Sequence, residues 1–105
     1  MQDRYNLIFD DVITRQLKKA AKNGVVKQRL ISLLDKLEEK GPEVGELIDS
    51  NLSVYELKAK HPPIRLYFVP SPNSKEIKVF EFEMKTSPEK QKETINKLRK
   101  RISKS

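Results

Sequence analysis

Beyond residue 53 the spacing of apolar residues changes from helical to alternating, and this switch constrains the fold more than any other feature of the chain. Upstream, Phe9, Ile13, Leu17 and Ala20/Ala21 recur at helical spacing, as do Val26, Leu30, Leu33, Leu34 and Leu37. Downstream, Tyr55, Leu57 and Ala59 alternate with Glu56, Lys58 and Lys60. Ile64, Leu66 and Phe68 then alternate with Arg65, Tyr67 and Val69, and after a Pro70–Ser74 turn, Phe80, Phe82 and Met84 alternate with Val79, Glu81, Glu83 and Lys85. One chain therefore needs both a helical layer and a sheet, an α+β fold.

Local signals place the boundaries. Arg4 to Phe9 reads as a short strand, and Asp10 or Asp11 caps the helix after it by accepting from an unpaired backbone N–H. Asn23-Gly24 reads as a stop, since glycine adopts the left-handed conformation that ends helices. The second helix then ends at Lys40-Gly41-Pro42, and residues 41–52 read as a loop pinned by Leu47 and Ile48. Ser87-Pro88 opens a last helix, whose stripe Ile95, Leu98 and Ile102 reads as a packing face. The expected order is β-α-α-β-β-β-α, an antiparallel meander covered on one face by a helical hairpin. Parity turns Leu57, Ile64, Leu66, Phe68, Phe80, Phe82 and Met84 toward the hairpin. The other face collects Glu56, Lys58, Lys60, Arg65, Tyr67, Glu81, Glu83 and Lys85. The length of 105 residues suits one domain over residues 1–105.

Charge narrows the class of partner. The net charge is +7, yet residues 1–55 carry nine basic and nine acidic side chains and are neutral. Residues 88–105 carry seven basic and two acidic, so a polyanion is drawn to the second half. The basic last helix, with Arg99 and Arg101, reads as an RNA-phosphate contact, a dock for an acidic protein, or a solvated face. There is no cysteine, which excludes disulfide and thiolate chemistry, and one histidine, His61, is too few for an ordinary zinc site. With no apolar run of membrane-spanning length and no signal-peptide pattern, a cytoplasmic protein away from membranes is expected.

The polar sheet face matches the needs of RNA cleavage: a group to draw the 2′-OH proton, cations for the phosphorane charge, and an acid for the leaving oxygen. Arg65 suits bidentate phosphate contact, and Tyr67 suits base stacking. Each residue also has a plainer reading. Arg65 can pair with Glu56 or Glu81 across the sheet, Glu56 and Glu83 can serve as salt-bridge partners, and His61 can be an exposed turn residue.

Three segments in order resemble a known family: Val54-Tyr55-Glu56-Leu57-Lys58-Ala59-Lys60, Ile64-Arg65-Leu66-Tyr67-Phe68, and Val79-Phe80-Glu81-Phe82-Glu83-Met84-Lys85-Thr86-Ser87-Pro88. They are similar to the RelE/ParE superfamily of type II toxin–antitoxin toxins, with the wording of its phage-derived, HigB-like branch. That branch has an aromatic-Glu-Leu-basic strand, a Tyr-Arg-hydrophobic-aromatic strand and a Phe-x-Lys-Lys-Thr segment before a proline and a last helix. The resemblance implies the RelE-like fold and an mRNA endonuclease that cuts in the ribosomal A site without metal or other cofactor. It also implies an antitoxin partner that wraps the basic surface. Carried over by position, Arg65, Lys58 and Lys85 are candidate catalytic residues, as is Glu56, which stands where some relatives have a catalytic lysine. Lys60, Tyr67, Lys78, Arg99 and Arg101 are candidate RNA contacts. Met84 stands in place of the first lysine of the Lys-Lys-Thr segment, the spacing from Thr86 to Pro88 is shortened, and no tyrosine follows near the C-terminus. These departures leave the general base unassigned. Two other functions fit the same fold, a gyrase-directed toxin and an inactive binding module.

Overall fold

Asp10 caps the first helix as expected, its side chain accepting from the Val12 N–H, and the strand before it is short. The computed structural model describes residues 4–84 and 87–103. Its elements run β1 (Asn6–Phe9), α1 (Asp11–Ala20), α2 (Gly24–Lys40), a single 3₁₀ turn (Pro42–Val44), β2 (Glu46–Asp49), β3 (Val54–Lys60), β4 (Pro63–Pro70), β5 (Glu76–Met84) and α3 (Pro88–Ser103). The sheet order is β1-β5-β4-β3-β2, with β1 parallel to β5 and the other pairs antiparallel. The chain is α+β, as the period switch implies.

Three local expectations are corrected. Asn23-Gly24 starts α2 and does not stop α1: the Asn23 Oδ1 accepts from the Val25 and Val26 N–H groups, and Gly24 is the first helical residue. Residues 41–52 are not all loop, because Glu46–Asp49 pairs with β3 as an edge strand. Nothing in so short a segment alternates, and Leu47 is 49% exposed, so its pairing comes from β3 and not from its own pattern. The third correction is Phe80. Tyr67 lies opposite Glu81 and Phe68 opposite Val79, so Phe80 is the extra residue of a β-bulge. The bulge shifts parity, sending Val79 to the hairpin side and Phe80 to the opposite face.

That shift creates a second core. The first lies between the sheet and α1/α2, and includes Ile13, Leu30, Leu37, Leu57, Ile64, Leu66, Phe68, Ile77 and Val79. The second, on the face expected to be open, gathers Val54, Tyr67, Phe80 and Leu98, with Ile95 and Ile102 packed beside them. The stripe on α3 is thus a packing face. Helix α3 begins where Ser87 Oγ accepts from the Lys90 N–H, with Pro88 in the first position. Gly41 ends α2 at φ 82°, and a Cβ there would overlap the Tyr5 ring, so glycine is required twice over.

Candidate functional site

Cross-strand register brings the charged residues into two rows on the α3 face. Lys58, Arg65 and Glu83 are successive partners across β3, β4 and β5, and Glu56, Tyr67 and Glu81 form the next row. Helix α3 crosses the second row. Arg65, Lys58 and Glu56 therefore gather near its N-terminal turns, and Lys60 follows two residues further along β3. Lys85 lies outside the described residues.

Glu56 is the centre of this group. Its side chain is 3% exposed, and its Oε2 accepts from Arg65 Nη1 at 2.8 Å and from Gln91 Nε2 at 2.5 Å. Lys58 Nζ stands 3.9 Å from its Oε1 and 3.5 Å from Glu46 at the rim. The Arg65 and Gln91 hydrogen bonds both fall on Oε2, and the carboxylate is buried among cations. It positions Arg65, which is the plainer of the two readings of the pair and is compatible with a role for Arg65 itself. The contact uses one of five guanidinium donors, and the Arg65 side chain keeps 13% of its surface open. Lys58 is half-exposed with three donors. Two cations on adjacent strands, one held by a buried carboxylate and one half-exposed, are suited to stabilising charge on a phosphate.

The remaining candidates fall elsewhere. Tyr67 is 0% exposed beneath α3, so it has no ring face for a base, and its O–H donates to Glu83 Oε2 at 2.6 Å. Burial, then the Glu83 hydrogen bond and charge, push the phenol well above its ordinary range, so it stays protonated. Glu83 is engaged through both oxygens, the second by the Thr94 hydroxyl. Arg99 pairs with the buried Asp49 at 2.5 Å, holding that carboxyl below its ordinary value against the effect of burial. Arg101 bridges Asp10 and Glu81 and lies over the Phe80 ring, while burial outweighs it in pushing the Glu81 carboxyl up. The two arginines expected to contact RNA thus also strap α3 to the sheet. Lys78 reaches over the Phe80 ring from the Val69 end of the sheet, far along the strands from Arg65. Lys60 is exposed and has no ion pair among the described residues.

Gln91, Thr94, Glu46 and Asp49 were not singled out by sequence. Asp49 had a signal: Asp49-Ser50-Asn51 is turn chemistry, and the Asp49 Oδ1 accepts from the Asn51 and Leu52 N–H groups. Gln91 had none, since a lone amide on a lysine-rich helix does not reveal what lies opposite it in space.

No family model and no curated protein matches this sequence. Solved structures do. The chain is 20% identical to the isolated Escherichia coli RelE toxin over 90% of this chain and 98% of that one, with a TM-score of 0.61. It is 21% identical to a YoeB dimer chain from Staphylococcus aureus, covering 79% and 99%, at TM-score 0.62. A chain of the RelBE2 toxin–antitoxin complex of Mycobacterium tuberculosis matches at 12% identity, 83% and 98% coverage and TM-score 0.64. At these identities the likeness is one of architecture, and this chain has the fold of the RelE-type toxins.

Proposed function

We propose that the chain is the toxin of a type II toxin–antitoxin pair, an endonuclease that cuts mRNA on the ribosome. The carrying observation is the Lys58–Arg65 cation pair on adjacent strands, with Arg65 held by buried Glu56, within a RelE-type fold. The resemblance of the strand segments to HigB-like toxins supports the same reading. In metal-independent cleavage the 2′-OH gives its proton to solvent and its oxygen bonds to the adjacent phosphorus. The bond to the 5′-oxygen breaks to leave a 2′,3′-cyclic phosphate, and the 5′-oxygen takes a proton from solvent. Arg65 and Lys58 then neutralise the extra charge on the non-bridging oxygens of the phosphorane. Gln91 and Glu56 act as positioning residues by fixing the guanidinium. Lys85 belongs to the proposed catalytic set by motif position. An antitoxin partner, in the manner of the RelBE complexes that share the fold, would neutralise the basic surface.

The test is controlled expression in a bacterium, with mRNA 5′ ends mapped on stalled ribosomes. The wild-type chain is expected to arrest growth with A-site cuts, and Arg65→Ala to lower cutting by about 10²–10³-fold, the usual loss for one oxyanion donor. Arrest with damaged DNA and intact mRNA would overturn the reading in favour of a gyrase-directed toxin. No arrest would leave a binding module.

A further inference from the structure

The neutrality of the first half conceals a segregation of charge. Between residues 12 and 34 stand Arg15, Lys18, Lys19, Lys22, Lys27 and Arg29, with no acidic residue among them. The fold gathers all six at one end of the molecule, on the later turns of α1, the Ala21–Asn23 connection and the first turns of α2. All but Arg29 are exposed, and among the described residues none forms an ion pair. The contrast is with Arg99 and Arg101, whose charges are already met by Asp49, Asp10 and Glu81.

A solvated face does not account for this arrangement. Other basic stretches have acids set among them, as in the Arg4–Glu38 and Lys90–Glu93 pairs, and even the lysine-rich α3 carries Glu89 and Glu93. Lys18 and Lys19 have a structural use, because cations favour the C-terminal end of α1. Lys22 and Lys27 have no such use, and Arg29, though bonded to the His61 carbonyl, meets no acid among the described residues. They surround the N-terminus of α2, itself a positive dipole end with no acidic residue in its first turn and a neutral Asn23 cap. Charge repulsion there is of the kind an external anion would relieve. Arg15 and Lys18/Lys19 stand three and four residues apart on α1, and Lys22 follows in the connection, so exposed cations recur along this end of the chain.

The surface continues toward the candidate site. Arg29 Nε and Nη2 donate to the His61 carbonyl at 3.1 and 2.7 Å, tying α2 to the β3–β4 turn. A shallow groove of about 460 Å³ lies there, with Gln28, Arg29, Ser32 and His61 in its lining. Lys60 immediately precedes His61, and Lys58 lies two residues before it on the same strand.

We propose that the α1–α2 end, through Lys18, Lys22, Lys27 and Arg29, is a binding surface for the RNA phosphate backbone, separate from the Arg65 site and leading to it past His61. The inference rests on the RNA-directed part of the reading above and names where the RNA is gripped. An acidic protein is the competing occupant. Val25 is 67% exposed in the groove, but it is one small apolar side chain beside six cations with no acid between them, and that charge pattern favours repeating phosphates.

The test uses the full chain and a labelled synthetic RNA stem-loop, with affinity measured by fluorescence anisotropy across a KCl series. Lys18→Glu/Lys22→Glu/Lys27→Glu is compared with Lys92→Glu/Lys97→Glu/Lys100→Glu on α3, which changes the net charge equally. Circular dichroism checks that both are folded. The hairpin variant is expected to lose about 10²-fold or more in affinity at low salt, and its log–log salt slope to fall by roughly two to three, one increment per lost phosphate contact. The α3 variant should keep its slope within about one of the wild type. Equal losses in the two variants, or none in the hairpin variant, overturn the proposal. So does loss of poly-glutamate binding in the hairpin variant with RNA binding intact, which would mark a protein dock. Arg65→Ala separates the two readings: it should lose cleavage and keep RNA binding, whereas a wild-type chain that binds RNA through the hairpin yet never cuts mRNA defeats the nuclease reading alone.

Discussion

Glu56 shows how much one side chain carries when its charge is buried. It fixes Arg65 and ties β3 to α3 through Gln91, so removing its carboxylate strands a largely buried guanidinium. Glu56→Ala is expected to cost about 3 kcal/mol in urea unfolding, and Arg65→Ala a similar amount. The double variant should cost clearly less than the sum of the two, and strict additivity would show that the pair is not coupled. Asp49 and Glu81 give opposite pH signatures. Asp49 is depressed in the folded chain, chiefly by Arg99, so its contribution is present above the ordinary carboxylate value and is lost as pH falls through the folded one. Glu81 is raised, so its contribution is present below its ordinary value and is lost as pH rises through the folded one. Arg99→Gln should therefore lower Tm at about pH 7 and make little difference at about pH 2, read from thermal melts across that range.

At the scale of elements, β5 has an edge that β1 does not reach. Pairing of β1 with β5 ends at Val79, and beyond it the Gln16 side chain takes over: its Nε2 donates to the Phe82 carbonyl and its Oε1 accepts from the Phe82 N–H, both at 2.9 Å. An amide on α1 thus replaces a missing strand residue, and it covers two backbone groups that would otherwise lie unpaired in partly buried surroundings. Gln16→Leu should cost about 1–3 kcal/mol, with faster amide exchange at Phe82 as the local sign. No exchange difference at Phe82 would remove the clamp from the account. Helix α3 depends more on apolar burial than on its many charges, because Leu98 is fully buried against Val54, Tyr67 and Phe80. Leu98→Ala is expected to cost about 2–4 kcal/mol. Lys97→Ala, on the exposed face of the same helix, should stay within about 0.5 kcal/mol.

At the scale of the molecule, two cores share one sheet, since β3, β4 and β5 contribute side chains to both. Unfolding should therefore be a single transition. Leu37→Ala in the first core and Leu98→Ala in the second should each shift far-UV circular dichroism and tyrosine fluorescence together, and separated midpoints would mean the faces open independently. The elements themselves were legible because helical and strand periods, the Asp10 and Ser87 caps and the Gly41 stop are set by residues within a turn of one another. The Arg65–Glu56 pair was legible for a related reason: once β3 and β4 form a tight hairpin, parity places both side chains on one face. What lay beyond local pattern was decided in three dimensions. β2 exists because β3 offers it an edge, Phe80 changes face because β5 holds one residue more than β4 can match, and Tyr67 loses its access because α3 docks over it. The charges divide in the same way. Sequence by itself determined how many cations the chain carries and that the second half holds the excess. Tertiary structure decided which of them are spent on Asp49, Asp10 and Glu81 and which, at the α1–α2 end, have no ion pair among the described residues, because an ion pair depends on distance in space and those acids lie up to 91 residues from their partners.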